Sequence, residues 1–234
     1  CPPHILRAMP EVLLRVRAVQ KMREVSEKLA TRQKAATPTW FTEDRQPIDG
    51  NYLAIPRTSS ENRRYLPLGY LPATVVAAND LQLIPNASLY EFGVLSSLMH
   101  RAWVDVTAGR LKSDIRYSVK LTYNTFPWPG FTGEPLSDKH RTAIEQAAQC
   151  VLDARSQFAS SSLADLYDPL TMPPALLKAH QKLDTAVDAA YQPSGGKKTY
   201  ASDAERVAFL FELYQRITSL LPVNKTRKTK AKEA

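Results

Sequence analysis

The sequence predicts an α+β fold in which helices mixed with short strands precede a small all-α domain. Three observations favour it. Short β-prone runs broken by Pro, Asn and Asp occupy residues 40–87, apolar and polar residues alternate from Ile115 to Asn124, and after Pro129 apolar residues recur at helical spacing. We therefore divide the chain into a basic leading helix at 1–36, a mixed helix and strand module at 37–130, a helical domain at 131–222 and a basic, disordered tail at 223–234.

The first part of the chain predicts a helix followed by strands. Apolar residues three and four apart indicate one amphipathic helix over residues 11–36, which Pro38 ends. The β-prone runs predict strands at Tyr52–Ile55, Leu68–Ala77 and Leu81–Ile84. The second run contains a proline, which is typical of an edge strand or a bend.

A capping box, Ser88-Leu89-Tyr90-Glu91, predicts a helix that begins there and runs to about Ala108, with Gly109 as its C-cap. Its buried face would consist of Leu89, Phe92, Leu95, Met99, Ala102 and Val106. The alternation from Ile115 to Asn124 predicts the clearest strand, with one buried and one solvated face.

Beyond Pro129 the spacing predicts three helices, over residues 137–158, 174–191 and 202–221. A second capping box, Ser202-Asp203-Ala204-Glu205, begins the last of them.

The net charge of +8 is concentrated near the two ends of the sequence, because residues 1–36 and 194–234 each carry +5. Basic ends fit a polyanion partner such as nucleic acid, and they equally fit a solvated surface. No apolar run is long enough to span a membrane. The two cysteines form neither a disulfide framework nor a zinc set, so we expect a reducing compartment such as the cytoplasm. Since the chain lacks a starting Met, we expect it to be a piece of a longer protein.

Catalytic and metal-binding patterns are missing from the sequence. The histidines occur in no H-E-x-x-H or Cys/His arrangement, and no G-x-S-x-G, G-x-G-x-x-G or phosphate-binding loop is present. His100 is interpreted as a packed or surface helix residue, and the paired carboxylates as helix caps and solvated side chains, namely Asp165, Asp168, Asp184 and Asp188. We therefore expect no catalytic, metal-binding or cofactor-binding residue in this chain.

Several longer strings of residues are more specific than composition. They include Tyr90-Glu91-Phe92-Gly93-Val94-Leu95, Gly109-Arg110-Leu111-Lys112-Ser113-Asp114-Ile115-Arg116-Tyr117-Ser118, Tyr123-Asn124-Thr125-Phe126-Pro127-Trp128-Pro129 and Leu163-Ala164-Asp165-Leu166-Tyr167-Asp168. In their order and spacing, these strings resemble the C-terminal part of the MmeI-like (type IIL) restriction-modification enzymes. The resemblance covers roughly residues 10–220.

Enzymes of that family join an endonuclease domain, a helical spacer, an adenine methyltransferase domain, a target-recognition domain and a C-terminal helical domain. The resemblance implies that residues 37–130 are a target-recognition domain with double-stranded DNA and the methyltransferase domain of the same polypeptide as partners. The methyltransferase signature, Asn-Pro-Pro followed by an aromatic residue, is not in this sequence. The implied cofactor, S-adenosylmethionine, therefore belongs to the parent enzyme and not to this chain.

The resemblance also implies base-reading residues in the segment Gly109–Ser118, where the family has a pair of opposite charges two residues apart. The matching pair here is Lys112 and Asp114. Lysine donates to guanine O6 and N7 and aspartate accepts from the cytosine amino group, so such a pair reads one G·C pair in one orientation. Arg116 is a second candidate base contact, and Asn79 and Asp80 resemble another variable readout segment. The alternative is a surface Lys/Asp pair of little consequence.

Basic and hydroxyl side chains around this segment are expected to contact DNA phosphates, which position a protein without reading sequence. They are Arg57, Ser59, Ser60, Arg63, Arg64, Arg110 and Lys120. Two other functions stay open: a helical scaffold or a protein- or RNA-interaction module without sequence-specific DNA binding, and a free-standing specificity subunit. A DNA reader differs from a scaffold in its steep salt dependence and its preference among duplexes.

Overall fold

The computed structural model describes residues 3–42, 45–131 and 135–219. They form two compact units, one that extends to Gln46 and one that begins at Pro47.

The first unit is helical, with α1 (Pro3–Arg7), α2 (Pro10–Glu24) and α3 (Leu29–Gln33). The prediction of one helix over residues 11–36 is wrong, because the chain breaks after α2 and folds back. The buried guanidinium of Arg23 donates to the carbonyl oxygens of Lys34, Thr37 and Trp40 at 2.8–3.0 Å. A straight helix would carry those carbonyls out of its reach.

The second unit begins with four strands, β1 (Asn51–Pro56), β2 (Thr58–Ser59), β3 (Gly69–Pro72) and β4 (Leu81–Pro85). Three of them form an antiparallel sheet in the order β3-β1-β4, in which Leu53 lies opposite Tyr70 and Ile84. The predicted strands at residues 52–55 and 81–84 are confirmed. Only β3 forms within the run predicted at residues 68–77, because the chain turns after Pro72, whose carbonyl accepts from the amide of Val75.

The helix predicted from the capping box divides into α4 (Leu89–Leu95) and α5 (Leu98–Thr107). The capping box itself is confirmed: Ser88 Oγ accepts from the Tyr90 amide, and Glu91 accepts from the Ser88 amide at 2.8 Å.

The predicted single helix to residue 108 is wrong, because the chain breaks after α4 and Ser97 caps α5 by accepting from the His100 amide. At the break, the amide of Leu98 donates to the carboxylate of Asp184, which is far away in sequence, at 2.8 Å. Ala108 forms the C-cap, and Gly109 begins a strand instead. Four of the six predicted buried residues are buried, whereas Leu89 is half-buried and Val106 is 48% exposed.

The next two strands are β5 (Gly109–Leu111) and β6 (Asp114–Arg116), which form a second antiparallel sheet in the order β2-β6-β5. The ten-residue strand predicted from Ile115 is wrong beyond Arg116, because a π-helical turn occupies Val119–Tyr123. Ser118 caps this turn by accepting from the Leu121 amide at 3.3 Å. The turn leaves Leu121 exposed and Thr122 buried, which reverses the predicted faces.

Four α-helices, α6 (Asp138–Ser156), α7 (Leu163–Leu166), α8 (Pro174–Ala190) and α9 (Asp203–Thr218), complete the described chain, with a short 3-10 helix at Gln192–Ser194 after α8. The three predicted helices are therefore confirmed up to residue 219, and the predicted disordered tail lies outside the described residues. The second capping box forms only in part: Ser202 accepts from the Glu205 amide, but Glu205 accepts from the amide of Ala201.

One hydrophobic core joins residues on both sides of position 130. Helix α6 packs on α4 and α8, and α9 packs on α5. Leu53 and Trp103 belong to the same buried cluster as Ile144 and Leu183. The division into domains at residue 130 stays a prediction.

Candidate nucleic-acid interface

The segment predicted to read bases forms a tight hairpin. Leu111 pairs with Asp114, so Lys112 and Ser113 are the two turn residues between β5 and β6. Lys112 has a φ of 57°. Two-residue hairpin turns require a left-handed residue, and a lysine adopts that backbone only at a cost in energy. The lysine therefore stands at the tip of the hairpin with its side chain exposed.

The pleat of β6 separates buried from accessible side chains. Ile115 is fully buried, whereas Asp114 is half-buried and Arg116 is exposed on the opposite face. Cross-strand pairing brings Leu111 next to Asp114 and Thr58 next to Arg116. We call this surface, formed by Thr58, Leu111, Lys112, Asp114 and Arg116, the hairpin face.

Thr58 and Leu111 are members of the hairpin face that sequence reasoning missed. Strands β2 and β5 have two and three residues, which is too short for a periodic signal to reveal their register. Both side chains are exposed.

The three charged side chains of the hairpin face are available to a ligand. Across residues 3–42, 45–131 and 135–219, no side-chain hydrogen bond or ion pair engages Lys112, Asp114 or Arg116. The predicted pair therefore does not neutralise itself.

The backbone of Arg57 connects the second candidate readout segment to this sheet. Its amide donates to the carbonyl of Asp80, and its carbonyl accepts from the amide of Tyr117, both at 2.8 Å. Asn79 and Asp80 are exposed in the loop between β3 and β4. Arg57 thus holds the loop that carries Asn79 and Asp80 next to Tyr117, which directly follows Arg116 at the end of β6.

The predicted phosphate contacts fall into different environments. Arg64 and Lys120 are exposed, and Arg57, Ser60 and Arg63 are half-buried at the surface. Ser59 is only 3% exposed, so its hydroxyl does not lie where a phosphate could meet it, contrary to our expectation. Arg110 already contacts its own chain: it donates to the carbonyls of Asp105 and Ser113 at 3.1 and 3.3 Å.

The interpretation of two carboxylates as solvated is wrong. Asp184 and Asp188 are 6% and 2% exposed. Asp184 accepts from the hydroxyl of Tyr65 and the amide of Leu98, both at 2.8 Å, and burial raises the pKa of its carboxyl to about 6. Asp188 pairs with the buried guanidinium of Arg206 at 2.8 Å. Because one face of α8 is buried in the core, the polar residues on that face hold neighbouring elements.

The remaining polar candidates have structural roles. Asp165 completes a capping box with Ser162, and Asp168 accepts from the amide of Leu170 at 2.9 Å. His100 is fully buried with Nε2 3.0 Å from the hydroxyl of Tyr117, and burial lowers its pKa to about 3. The interpretation of His100 as a packed helix residue is confirmed.

The described part of the chain contains no group of three or more His, Cys, Asp or Glu residues that could hold a metal ion. In the same ranges, every helix is too short or too polar to traverse a lipid bilayer.

Comparison with known proteins identifies the family. A family model described as "MmeI, target recognition domain" matches residues 2–130, and one described as "MmeI, C-terminal domain" matches residues 136–222. The chain belongs to the MmeI family. The resemblance inferred from the sequence is thereby confirmed, and the hairpin face lies within the segment matched as the MmeI target recognition domain.

Two proteins of known description are similar to this chain over most of its length. DNA methyltransferase A of Bacillus subtilis (strain 168) is 39% identical over 213 residues, which are 91% of this chain and 23% of that protein. A solved structure of the type IIL restriction-modification enzyme MmeI in complex with DNA is similar with a TM-score of 0.83 and 49% identity, over 92% of this chain and 27% of that chain. The chain thus spans about a quarter of the length of each relative.

Proposed function

We propose that this chain selects the duplex site at which an N6-adenine DNA methyltransferase of the type IIL restriction-modification class acts. The observation that carries the proposal is the hairpin face, where Lys112, Asp114 and Arg116 are accessible and, within the described residues, have no polar partner of their own. The solved MmeI structure, which is described as a complex with DNA, supports the same assignment.

The chemistry of these side chains matches base edges in the major groove. An ammonium at Lys112 donates to guanine O6 and N7, and a carboxylate at Asp114 accepts from the cytosine amino group of the same base pair. Exchange of the two charges would favour the reverse orientation of that pair. Arg116 points to the same side as Asp114 and offers the commonest contact to a second guanine. Asn79 and Asp80, held next to β6 through Arg57, are the proposed third contact.

Phosphate contacts are proposed for the accessible basic and hydroxyl groups around this face: Arg57, Ser60, Arg63, Arg64 and Lys120. These would fix the register of the protein on the duplex and provide the salt-dependent part of affinity. The helical region from α6 onward supports the hairpin face through the shared core.

The methyl donor of such an enzyme is S-adenosylmethionine, which supplies the methyl group when bound. One open surface pocket, of about 480 Å³, is lined by Tyr90, Trp128, Glu91 and Arg141, among others. Glu91 is already used in the capping box, and Arg141 stacks on Tyr90 at 4.3 Å. These residues do not fit the cofactor, so we place it in a methyltransferase domain of the same polypeptide that acts on DNA in the cytoplasm.

The proposal is tested by selection of duplexes from a pool with a randomised central region, using the 234-residue chain at low salt. We expect a preferred sequence that contains a G·C pair, with weak binding that falls steeply as salt rises when measured by fluorescence anisotropy. Arg116→Ala should relax the preference at one position by about tenfold. Lys139→Ala, on the exposed surface of α6, is the matched control and should preserve the preference.

The result that would overturn the proposal is equal recovery of all duplexes by the wild-type chain. Equal recovery together with insensitivity to salt would indicate a scaffold without a role in DNA reading.

A further inference from the structure

Arg110 lies on the opposite side of β5 from the hairpin face. Its cross-strand partner is the buried Ile115, and its guanidinium points toward the end of α5. There it donates to the carbonyl of Asp105 at 3.1 Å, lies 3.6 Å from an Asp105 carboxylate oxygen, and donates to the carbonyl of Ser113 at 3.3 Å. One side chain therefore connects a helix end to the second residue of the hairpin turn.

The carboxylate of Asp105 also engages a second arginine from its own helix. Arg101 makes a two-pronged contact with it, from Nε and Nη2, both at 3.0 Å. The guanidinium of Arg101 is 9% exposed and also donates to the carbonyls of Glu61 and Arg63. Asp105 thus lies between the loop that carries Arg63 and the turn that carries Lys112.

These contacts hold orientation more than they add stability. The Arg110–Asp105 ion pair is 39% and 36% exposed, and pairs with such solvent access contribute little to the free energy of folding. The turn that Arg110 braces contains Lys112 at a φ of 57°. This backbone conformation is strained for a lysine, and another turn conformation would relieve the strain. A base-reading side chain needs its supporting residues to hold it within a fraction of an ångström.

We infer that Asp105 and Arg110 are positioning residues for base readout, and that Arg110 acts as a brace for the Lys112-Ser113 turn and not as a phosphate contact. Arg101 anchors the same carboxylate and aligns the loop of Arg63 with the hairpin. This inference rests on the proposed function, and it replaces our expectation that Arg110 contacts the DNA backbone.

The two possible roles of Arg110 predict different effects of Asp105→Asn on base preference and on affinity for DNA. If Arg110 is a brace, Asp105→Asn removes its ion pair and leaves only its bonds to the two carbonyls, so the preference at the base pair read by the hairpin should fall by up to about tenfold. If Arg110 is a phosphate contact, Asp105→Asn removes a nearby negative charge and should strengthen binding to all duplexes, with the preference unchanged.

The experiment compares wild type, Asp105→Asn, Arg110→Lys and Lys120→Ala by duplex selection and by anisotropy across a salt series. Arg110→Lys keeps the charge but loses the planar fork, so we expect a relaxed preference at the same base pair and an unchanged salt slope. Lys120→Ala, at an exposed proposed phosphate contact, should lower the salt slope by about one and keep the preference. Melting temperatures show that each variant is folded, and Arg110→Lys carries the test if Asp105→Asn does not fold.

The outcomes separate this inference from the function on which it rests. A wild-type chain that selects one site, with Asp105→Asn and Arg110→Lys selecting it as sharply, overturns the positioning role alone. A wild-type chain without any preference overturns the proposed function and this inference together.

Discussion

Lys112 carries an unfavourable backbone at the tip of the hairpin. Among the described residues other than glycine, only Asn86 and Lys112 have positive φ, and asparagine tolerates that region far better than lysine. Strained residues concentrate at functional sites. The position of Lys112 is therefore consistent with selection for its ammonium group and not for stability of the turn.

If Lys112 and Asp114 read one G·C pair together, their exchange should reverse the base pair that they select. The double variant Lys112→Glu with Asp114→Arg should prefer the same site with that pair inverted, because donor and acceptor change strands. Each single alanine variant should lose about 1–3 kcal/mol of discrimination at that position alone.

Mapping of methylated sites in the complete enzyme, or duplex selection with this chain, measures the effect of the exchange. Modification of the original sequence by the double variant, or loss of preference at several positions, would contradict paired readout.

His100 predicts a dependence of stability on pH. Burial lowers its pKa to about 3, whereas in the unfolded chain it is about 6.5. Between these values the unfolded chain binds a proton that the folded chain does not, so acidification below pH 6.5 should cost about 1.4 kcal/mol per pH unit from this residue.

Between pH 7 and pH 5.5, the free energy of unfolding measured in urea should fall less for His100→Gln than for wild type. Tyr117→Phe is the control, because it keeps the buried imidazole and should keep the pH dependence. If His100→Gln showed the same pH dependence of stability as wild type, other titratable groups would be responsible for that dependence.

At the scale of elements, the helices α4, α6 and α8 meet at a glycine. A Cβ added at Gly93 would lie 2.7 Å from a methyl group of Ile144, 3.2 Å from Ala148 and 3.3 Å from Leu183. These are core side chains with little room to move. Close approach of the three helices therefore depends on the missing side chain.

Gly93→Ala should destabilise the fold by about 1–3 kcal/mol through overpacking, although alanine has the higher helix propensity by about 1 kcal/mol. The measurement is the free energy of unfolding in urea. Gly109→Ala serves as the control, since its added Cβ would meet no atom closer than 3.7 Å. A Gly93→Ala variant as stable as wild type would mean that the helices can separate without cost.

For the whole second unit, buried polar contacts tie the strand-rich part to the helices. The Tyr65 hydroxyl donates to Asp184 in α8 at 2.8 Å, and Arg155 in α6 donates to the carbonyl of Leu68 at 2.7 Å. The Tyr191 hydroxyl donates to the carbonyl of Pro127 at 2.9 Å. These bonds connect the segment matched by one family model to the segment matched by the other.

We therefore expect the unit that begins at Pro47 to unfold in one transition. Tyr65→Phe should lower its stability by about 1–3 kcal/mol, because it leaves the buried carboxylate of Asp184 with one donor fewer. Tyr70→Phe is the matched control, because it loses a solvent-exposed hydrogen bond to the carbonyl of Ser88 and should cost less.

Coincident denaturation curves from near- and far-ultraviolet circular dichroism would support a single unit. Two separate transitions would contradict it and would favour independent domains on either side of residue 130.

Features that depend on neighbours a few residues away could be predicted from the sequence. The cap at Ser88 and the helices near residues 138–156, 174–190 and 203–218 follow from local hydrogen bonds and helical spacing. The strings around Gly109–Ser118 indicated the family and marked Lys112 and Asp114, since the two residues lie only two positions apart in the chain.

Features whose partners are distant in sequence could not be predicted, because they form only when the chain folds. The alternation after Ile115 has the pattern of a strand, yet the chain leaves the sheet at Tyr117 and forms a π-helical turn. The sequence around Asp184 predicts a solvated helix residue, but Tyr65 and Leu98, each more than eighty residues away in sequence, donate hydrogen bonds to its buried carboxylate. Thr58 joins the hairpin face only because β2 pairs with β6. A residue pattern indicates preferences for helix, strand or solvent. The free energy of burying a carboxylate or ending a strand depends instead on which distant groups form hydrogen bonds with the buried polar atoms.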